Sequence, residues 1–253
     1  MQRRELEYAA ERFDSVEVNG SFYSLQRPES YRSWFAETPS DFVFAVKGGR
    51  YLTHMLRMRG VDSALGNFFG SGVLALGEKL GPVLWQLPAR QHFDAEVLDA
   101  FLGRLPKTMG EASIVANGHD DKLRHEPVLA ADPDRPIRHA LEPRHESFES
   151  DECFEILSRH GVALVVSDGA ARWPVLRRTT ADFEYVRLHG AEELYASGYS
   201  AAELDSWASE LTDHLRQGRD AYVYFDNDAK VHAPFDALGL RDRLAAFTAK
   251  TTP

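Results

Sequence analysis

The 253-residue chain carries 39 acidic against 29 basic residues, a formal net charge of −10, and is 43% hydrophobic with a single cysteine. That balance excludes a nucleic-acid coat protein, whose affinity would come from Lys and Arg neutralising phosphates. The lone Cys153 excludes an internal disulfide and a CxxC zinc site, and no apolar run long enough for a membrane helix is present.

Taken in chain order, residues 3–12 (Leu6, Ala9, Ala10, Phe13) have the spacing of a helix, behind a charged N-terminus with no apolar signal core, which suits a cytoplasmic protein. Strands are expected at 13–19, 42–47, 82–87, 137–142, 162–168, 184–189 and 221–227. Helical spacing of three and four lies between them, first over Leu65, Phe68, Phe69, Val73, Leu76 and Leu80, then over Val97, Leu98, Phe101, Leu102 and Leu105. Segment 108–136, with Asn117-Gly118, Asp132-Pro133 and Arg135-Pro136, reads as loop, with room for a short strand at Ser113-Ile114-Val115. Cys153 sits with Phe154 and Leu157 on a helix, as a core residue. Ser200 and Glu203 have capping-box spacing ahead of Leu204, Trp207, Leu211 and Leu215. A last helix starts near Pro234 and carries Phe235, Leu238, Leu244 and Phe247.

Alternating strands and helices predict an α/β fold with a parallel sheet, and the length suits one TIM-type (β/α) barrel spanning 1–253 as a single domain. Seven strands are visible where a closed barrel has eight. An open flavodoxin-like sheet is the alternative.

Side chains alternate along a strand, so parity sorts the faces. It puts Val16 and Val18 under helices and Glu17 and Asn19 opposite. It likewise sends Phe42, Phe44 and Val46 outward and Lys47 inward, and groups Leu84 with Gln86 and Ala140 with Glu142, followed by Arg144 and His145. Val186 and Leu188 face helices while Tyr185, Arg187 and His189 face inward. At Ser167-Asp168 and Asp226-Asn227 parity does not choose. In barrel enzymes chemistry gathers at the carboxyl ends of the strands, and buried charge is costly unless paired or used. Glu17, Glu142 and His189 are therefore the candidate catalytic groups. Asn19, Lys47, Gln86, Arg144, His145, Asp168, Arg187 and Asn227 are the candidate substrate contacts.

These segments resemble the YecE-like family, domain of unknown function 72. The likeness rests on Val16-Glu17-Val18-Asn19 with Ser21-Phe22-Tyr23, and on Phe42-Val43-Phe44-Ala45-Val46-Lys47 with Thr53-His54. It continues in Gln86-Leu87-Pro88, Glu142-Pro143-Arg144-His145-Glu146-Ser147-Phe148, Tyr185-Val186-Arg187-Leu188-His189-Gly190 and Phe225-Asp226-Asn227. The resemblance implies a TIM-barrel fold and no settled activity. It also implies a first strand ending in a Gly-Thr-Ser-Gly-Trp-like segment, which this sequence lacks, so an N-terminal strand is expected to be missing.

Three functions compete. The first is an enzyme acting on an anionic or polyhydroxylated small molecule. Lys47, Arg144 and Arg187 would hold a phosphate or carboxylate, and Glu17, Glu142 and a histidine would perform acid–base chemistry. The second is a divalent-metal hydrolase or isomerase using Glu17, Glu142, Asp168 and His189. It is disfavoured because Lys47, Arg144 and Arg187 would repel a cation, so no metal ligand and no cofactor is assigned. The third is a non-catalytic metabolite-binding protein with an aromatic-lined pocket. The expected partner is a small anionic ligand, with neither nucleic acid nor membrane.

Overall fold

The computed structural model describes residues 3–249 (side chains 4–246). The chain falls into two compact units, Met1–Leu141 and Glu142–Pro253. The strands follow one another in the sheet in chain order, and each lies within two residues of its expected bounds.

In the first unit, α1 (Arg3–Ala10) is followed by β1 (Ser15–Val18), the short α2 (Gly20–Tyr23) and α3 (Pro28–Ala36). Then come β2 (Val43–Lys47), a π-helical turn at Tyr51–Met55, α4 (Asp62–Gly70), a 3-10 segment at Val73–Lys79 and β3 (Leu80–Gln86). Helices α5 (Ala95–Leu102) and α6 (Met109–Ala116) precede β4 (His139–Glu142), whose last residue opens the second unit. Strands β1 and β2 pair in parallel, Glu17 opposite Ala45, and β2 pairs in parallel with β3. Phe42 and Phe44 are buried, and Phe44 stacks on Trp34 of α3 at 6.3 Å, as the helix-facing parity required.

Two expectations fail here. The single helix drawn through Leu65 to Leu80 breaks after Gly70. Gly72 takes φ 124, and a Cβ there would lie 2.7 Å from Pro28 Cα, so the chain turns where only glycine passes. The strand suggested at Ser113-Ile114-Val115 is helix α6. Thr108 accepts a hydrogen bond from Glu111 N as N-cap, and Met109, Ala112 and Ala116 are buried at helical spacing while Ile114 stays 73% exposed. β-branched residues signal a strand only when a sheet face is there to pack them. Segment 108–136 is therefore loop only beyond α6. Among the described residues no eighth strand occurs.

Trp85 centres this unit's core. It is fully buried, 5.5 Å from Phe68 and 5.4 Å from Phe101, and its Nε1 donates to His139 Nδ1 at 3.2 Å. His139 Nε2 lies 2.8 Å from the Pro106 carbonyl, which assigns its single proton to Nε2. Burial pushes the imidazole pKa down to about 4, against a smaller opposing effect of the Pro106 carbonyl. An unfolded histidine titrates near ~6.5. Between those values the unfolded chain binds the extra proton and the folded chain does not, so acid favours unfolding. Stability is therefore expected to fall by up to about 3 kcal/mol as pH drops from ~6.5 to ~4. A series of urea melts across that range checks it, and His139→Gln should flatten that part of the profile.

In the second unit α7 (Asp151–His160) leads to β5 (Ala163–Asp168) and β6 (Phe183–Leu188). Then follow α8 (Ala201–Arg216), β7 (Asp220–Phe225) and α9 (Ala233–Ala249). Ser150 caps α7 by accepting from Cys153 N, and Gly161 ends it in the left-handed conformation, φ 67. Cys153 is buried, in the core as expected. The capping box of α8 is complete. Glu203 N donates to Ser200 Oγ at 3.3 Å, and Ser200 N donates to Glu203 Oε2 at 2.7 Å. Val186 and Leu188 of β6 pack with Leu204, Trp207, Ala208 and Leu211 of α8 and with Leu240 of α9, joined by Leu244. The Phe247 side chain lies outside the described residues. Strands β5, β6 and β7 are parallel, Ser167 opposite Arg187 and Arg187 opposite Tyr224. No helix among the described residues is long and apolar enough to cross a membrane.

Candidate active site

The second unit gathers its polar groups where β4, β5, β6 and β7 end. The helix-facing parity of β6 is set by Val186 and Leu188, so Tyr185, Arg187 and His189 share the other face. On that face Tyr185 packs against Tyr222 and Tyr224 at 6.5 and 5.3 Å, an aromatic floor for the charged groups beyond it.

Glu142, the last residue of β4, is the hub. Its Oε2 accepts from Arg187 Nη1 at 2.8 Å. Its Oε1 accepts from Arg144 Nε at 2.8 Å and from Ser167 Oγ at 3.0 Å, with Arg144 Nη2 at 2.7 Å. Arg187 Nη2 reaches across to Asp226 Oδ2 at 3.1 Å. His189 lies between the two carboxylates, Nε2 3.6 Å from Glu142 Oε1 and Nδ1 3.1 Å from Asp226 Oδ2. The Nδ1 contact is short but its angle makes no hydrogen bond. Glu142, Arg187 and His189 are fully buried, whereas the Asp226 side chain is 29% exposed and that of Arg144 11%. Any ligand therefore meets Asp226 and Arg144 first.

Burial by itself would raise the Glu142 pKa. The Arg187 and Arg144 guanidiniums, helped by His189, outweigh it and hold the carboxyl well below the usual carboxylate range. Glu142 is thus an anion fixed by donors, and it has no proton to give as a general acid.

Two loops cover the group. After β5 the backbone is left-handed at Ala170 and Ala171, φ 49 and 59, and delivers Trp173. The Trp173 Nε1 donates to Ser167 Oγ at 3.0 Å, its ring lies 3.9 Å beneath the Arg144 guanidinium, and it meets His189 edge-on at 5.4 Å. After β6, Tyr195 is itself left-handed, φ 64, and stands edge-on to His189 at 5.5 Å. Non-glycine residues adopt that backbone seldom, and clusters of them favour functional loops.

Of the expected site residues in this unit, Glu142, Arg144, Arg187 and His189 come together. Asp168 and Asn227 point elsewhere. The Tyr199 hydroxyl donates to Asp168 Oδ2 at 3.0 Å, and Asn227 Nδ2 donates to Asp236 Oδ2 at 2.8 Å and to the Ser197 carbonyl at 2.9 Å. Both share the parity of helix-packed neighbours, Val166 for Asp168 and Val223 and Phe225 for Asn227. Their neighbours Ser167 and Asp226 take the other face and join the network. His145 caps the following 3-10 turn, its Nδ1 accepting from Ser147 N at 3.1 Å. From the sequence Ser167 and Asp226 stay undecided against Asp168 and Asn227, Tyr195 is one of several aromatics that could line a pocket, and Trp173 is not marked at all. Only the helices that take Val166 and Phe225 decide the first two, and no local signal brings the loop aromatics to His189.

In the first unit, Glu17 is half-buried on β1 and Lys47 is buried at the end of β2, its Nζ 4.5 Å from the centre of the Phe22 ring. The Lys47 carbonyl accepts from Ser21 Oγ at 2.7 Å. Asn19 presents a buried Oδ1 with no partner. Gln86 is buried and its Nε2 donates to the Leu87 carbonyl at 2.8 Å. The π-helical turn carries His54, edge-on to Phe22 at 5.1 Å. Among the described residues no group of three or more His, Cys, Asp and Glu is placed to hold a metal ion.

Parallel strands in chain order, helices between them and polar groups at the carboxyl ends of the strands define an α/β protein of the TIM type. The chain matches the family described as "Protein of unknown function DUF72" over residues 1–253 and belongs to that family. It is 25% identical over 257 residues to the UPF0759 protein YunF of Bacillus subtilis, covering 90% of this chain and 82% of that protein. A shorter match, 32% over 84 residues, joins 33% of this chain to 30% of the UPF0759 protein YecE of Escherichia coli K12. Among solved structures, a DUF72 family protein of Thermotoga maritima is similar with a TM-score of 0.71 and 25% identity, over 92% of this chain and 85% of that one. Another, from Enterococcus faecalis, has a TM-score of 0.74 at 16% identity, over 95% of this chain and 88% of that one.

Proposed function

We propose that this protein is an enzyme for an anionic or polyhydroxylated small molecule, with His189 as the group that moves a proton. The supporting observation is a fully buried imidazole set between two carboxylates and covered by two loops of left-handed backbone. Arg187 Nη1 faces Nε2 at 3.4 Å, whereas Nδ1 has no hydrogen bond among the described residues and lies 3.1 Å from the partly exposed Asp226 carboxylate, which leaves Nδ1 to exchange a proton with substrate. Glu142 stays ionised and anchors both arginines. Arg144 Nη1 is not used in holding Glu142 and is the donor offered to a substrate anion or hydroxyl. Substrate reaches His189 when the Trp173 and Tyr195 loops part.

A metal-dependent hydrolase or isomerase fits less well, because Glu142 and Asp226 are both turned onto Arg187 rather than toward a common point. A purely structural ion-pair clamp is the second reading, favoured by the four donor atoms around Glu142. One experiment separates it from the first. Wild type, His189→Asn and Asp226→Asn are incubated with phosphorylated, carboxylated and polyhydroxylated metabolites, and products are followed by mass spectrometry. Turnover should fall about 10²–10⁴-fold in His189→Asn while binding, read by thermal shift, persists. Turnover that survives intact in His189→Asn removes this assignment. No ligand for wild type, together with lowered melting temperatures in both variants, leaves the clamp.

A further inference from the structure

The first unit contains a second polar concavity. It is a cleft of about 320 Å³ lined by Arg57, Arg59, Arg90, Gln91, His92 and Asp94, among others. Its two walls are the turn after the π-helical segment that follows β2, and the loop that leaves β3. Loops beyond the carboxyl ends of parallel strands are where α/β proteins seat ligands.

Three guanidiniums line this cleft against one carboxylate, in a chain whose net charge is −10. That carboxylate is already engaged. Asp94 Oδ1 accepts from Val97 N at 3.1 Å as the cap of α5, and its Oδ2 accepts from Arg59 Nη2 at 2.9 Å. Arg57 and Arg90 are exposed and have no carboxylate partner among the described residues.

The backbone that presents them is unusual. Arg57, Met58 and Gly60 are all left-handed, φ 49, 65 and 57. Met58 is buried and its N–H donates to the Leu52 carbonyl at 3.0 Å, so the turn is pinned and its flanking arginines project from it. Such a turn opposes both local conformational preference and like-charge repulsion, and a bound anion would relieve the second.

On the other wall Gln91 is nine-tenths buried, and its Oε1 has no hydrogen-bond partner. Arginines alone would suit any small anion, and the unmet acceptor just beneath the wall beside them would take a ligand hydroxyl once the atoms covering it shift.

We propose that this cleft binds a small phosphate monoester carrying free hydroxyls, a phosphorylated polyol. Arg57 and Arg90 grip the phosphate, Arg59 stays with Asp94 and adds its field, and Gln91 accepts from a hydroxyl of the ligand. A polymeric phosphate is disfavoured by the acidity of the whole chain. This inference stands independently of the His189 proposal.

The test is calorimetric titration of the full chain with glycerol phosphate, with inorganic phosphate, and with a short DNA duplex. Glycerol phosphate should bind more tightly than inorganic phosphate, and the duplex should bind weakest. Arg57→Met and Arg90→Met should each weaken glycerol phosphate by about 10-fold, with melting temperatures unchanged because both side chains are exposed. Gln91→Leu should erase the preference for glycerol phosphate while leaving inorganic phosphate binding as it was. His189→Asn should bind glycerol phosphate at this cleft like wild type. Undiminished binding in the Arg57→Met/Arg90→Met double variant would overturn the site, as would no detectable binding of glycerol phosphate at millimolar concentration. Tighter binding of the duplex would overturn the ligand class.

Discussion

Arg187→Met is expected to destabilise the protein by about 3–5 kcal/mol, read as a lowered urea midpoint. Arg187 is fully buried and divides its guanidinium between Glu142 and Asp226. Methionine fills similar space but offers no donor, so Glu142 keeps only Arg144, Ser167 and a more distant His189 around it. An underpaired buried carboxylate costs more than the intact pair contributes, because its hydration was given up on folding. The double variant Arg187→Met/Glu142→Gln should recover part of the loss, since the stranded charge is gone and the remaining amide is neutral. Equal instability of the single and double variants would mean that packing of the Arg187 stem, rather than charge, is what matters.

Trp85→Ala is expected to have an effect of the same size, about 3–5 kcal/mol, from lost burial and the void left behind. For a chain of this length that corresponds to a fall in melting temperature of about 10 °C. Trp85 is wedged between Phe68 and Phe101, and the backbone of Gly48 comes so close that a Cβ there would sit 2.3 Å from the indole. Gly48→Ala should therefore be destabilising too, by roughly 1–3 kcal/mol, the usual cost of overpacking. Trp85→Phe separates the two contributions of the indole. It keeps most of the apolar contact but leaves His139 Nδ1 without its donor. A loss in Trp85→Phe close to that of Trp85→Ala would assign the effect to the hydrogen bond instead of the void.

The two effects meet in their pH dependence. The Glu142 carboxyl is depressed on folding, so its stabilising share is fully present above ~4.3, the unfolded value. It is lost only as pH falls through the lower folded value. The decline between pH ~6.5 and ~4 thus belongs to His139, while the Glu142 contribution fails at more acid pH.

Much of this molecule was determined by its sequence alone. Strands such as Val43–Lys47 and Phe183–Leu188 are legible because short apolar runs alternate with helices of clear periodicity, and both faces of a parallel strand must be apolar to be buried. The Ser200 capping box and the core position of Cys153 are equally local. Parity also placed Arg187 and His189 on the face opposite Val186 and Leu188, which the helices take.

What the tertiary structure decided is of another kind. Ser167 against Asp168, and Asp226 against Asn227, could not be separated while both parities of β5 and β7 looked apolar. The choice was made by α8 and α9, which take Val166, Val223 and Phe225 and so turn Ser167 and Asp226 to the opposite face. The break at Gly72 depends on the approach of Pro28, forty-odd residues away in the chain. The helix at Met109–Ala116 depends on a cap and a buried face that outweigh the strand preference of Ile114 and Val115. Trp173 and Tyr195 arrive at His189 on left-handed loop backbone that no periodicity encodes. Periodicity reports which face of an element is apolar, a local property written every second or fourth residue. Which polar atoms then meet is a matter of distances between segments, and those exist only once the chain has packed.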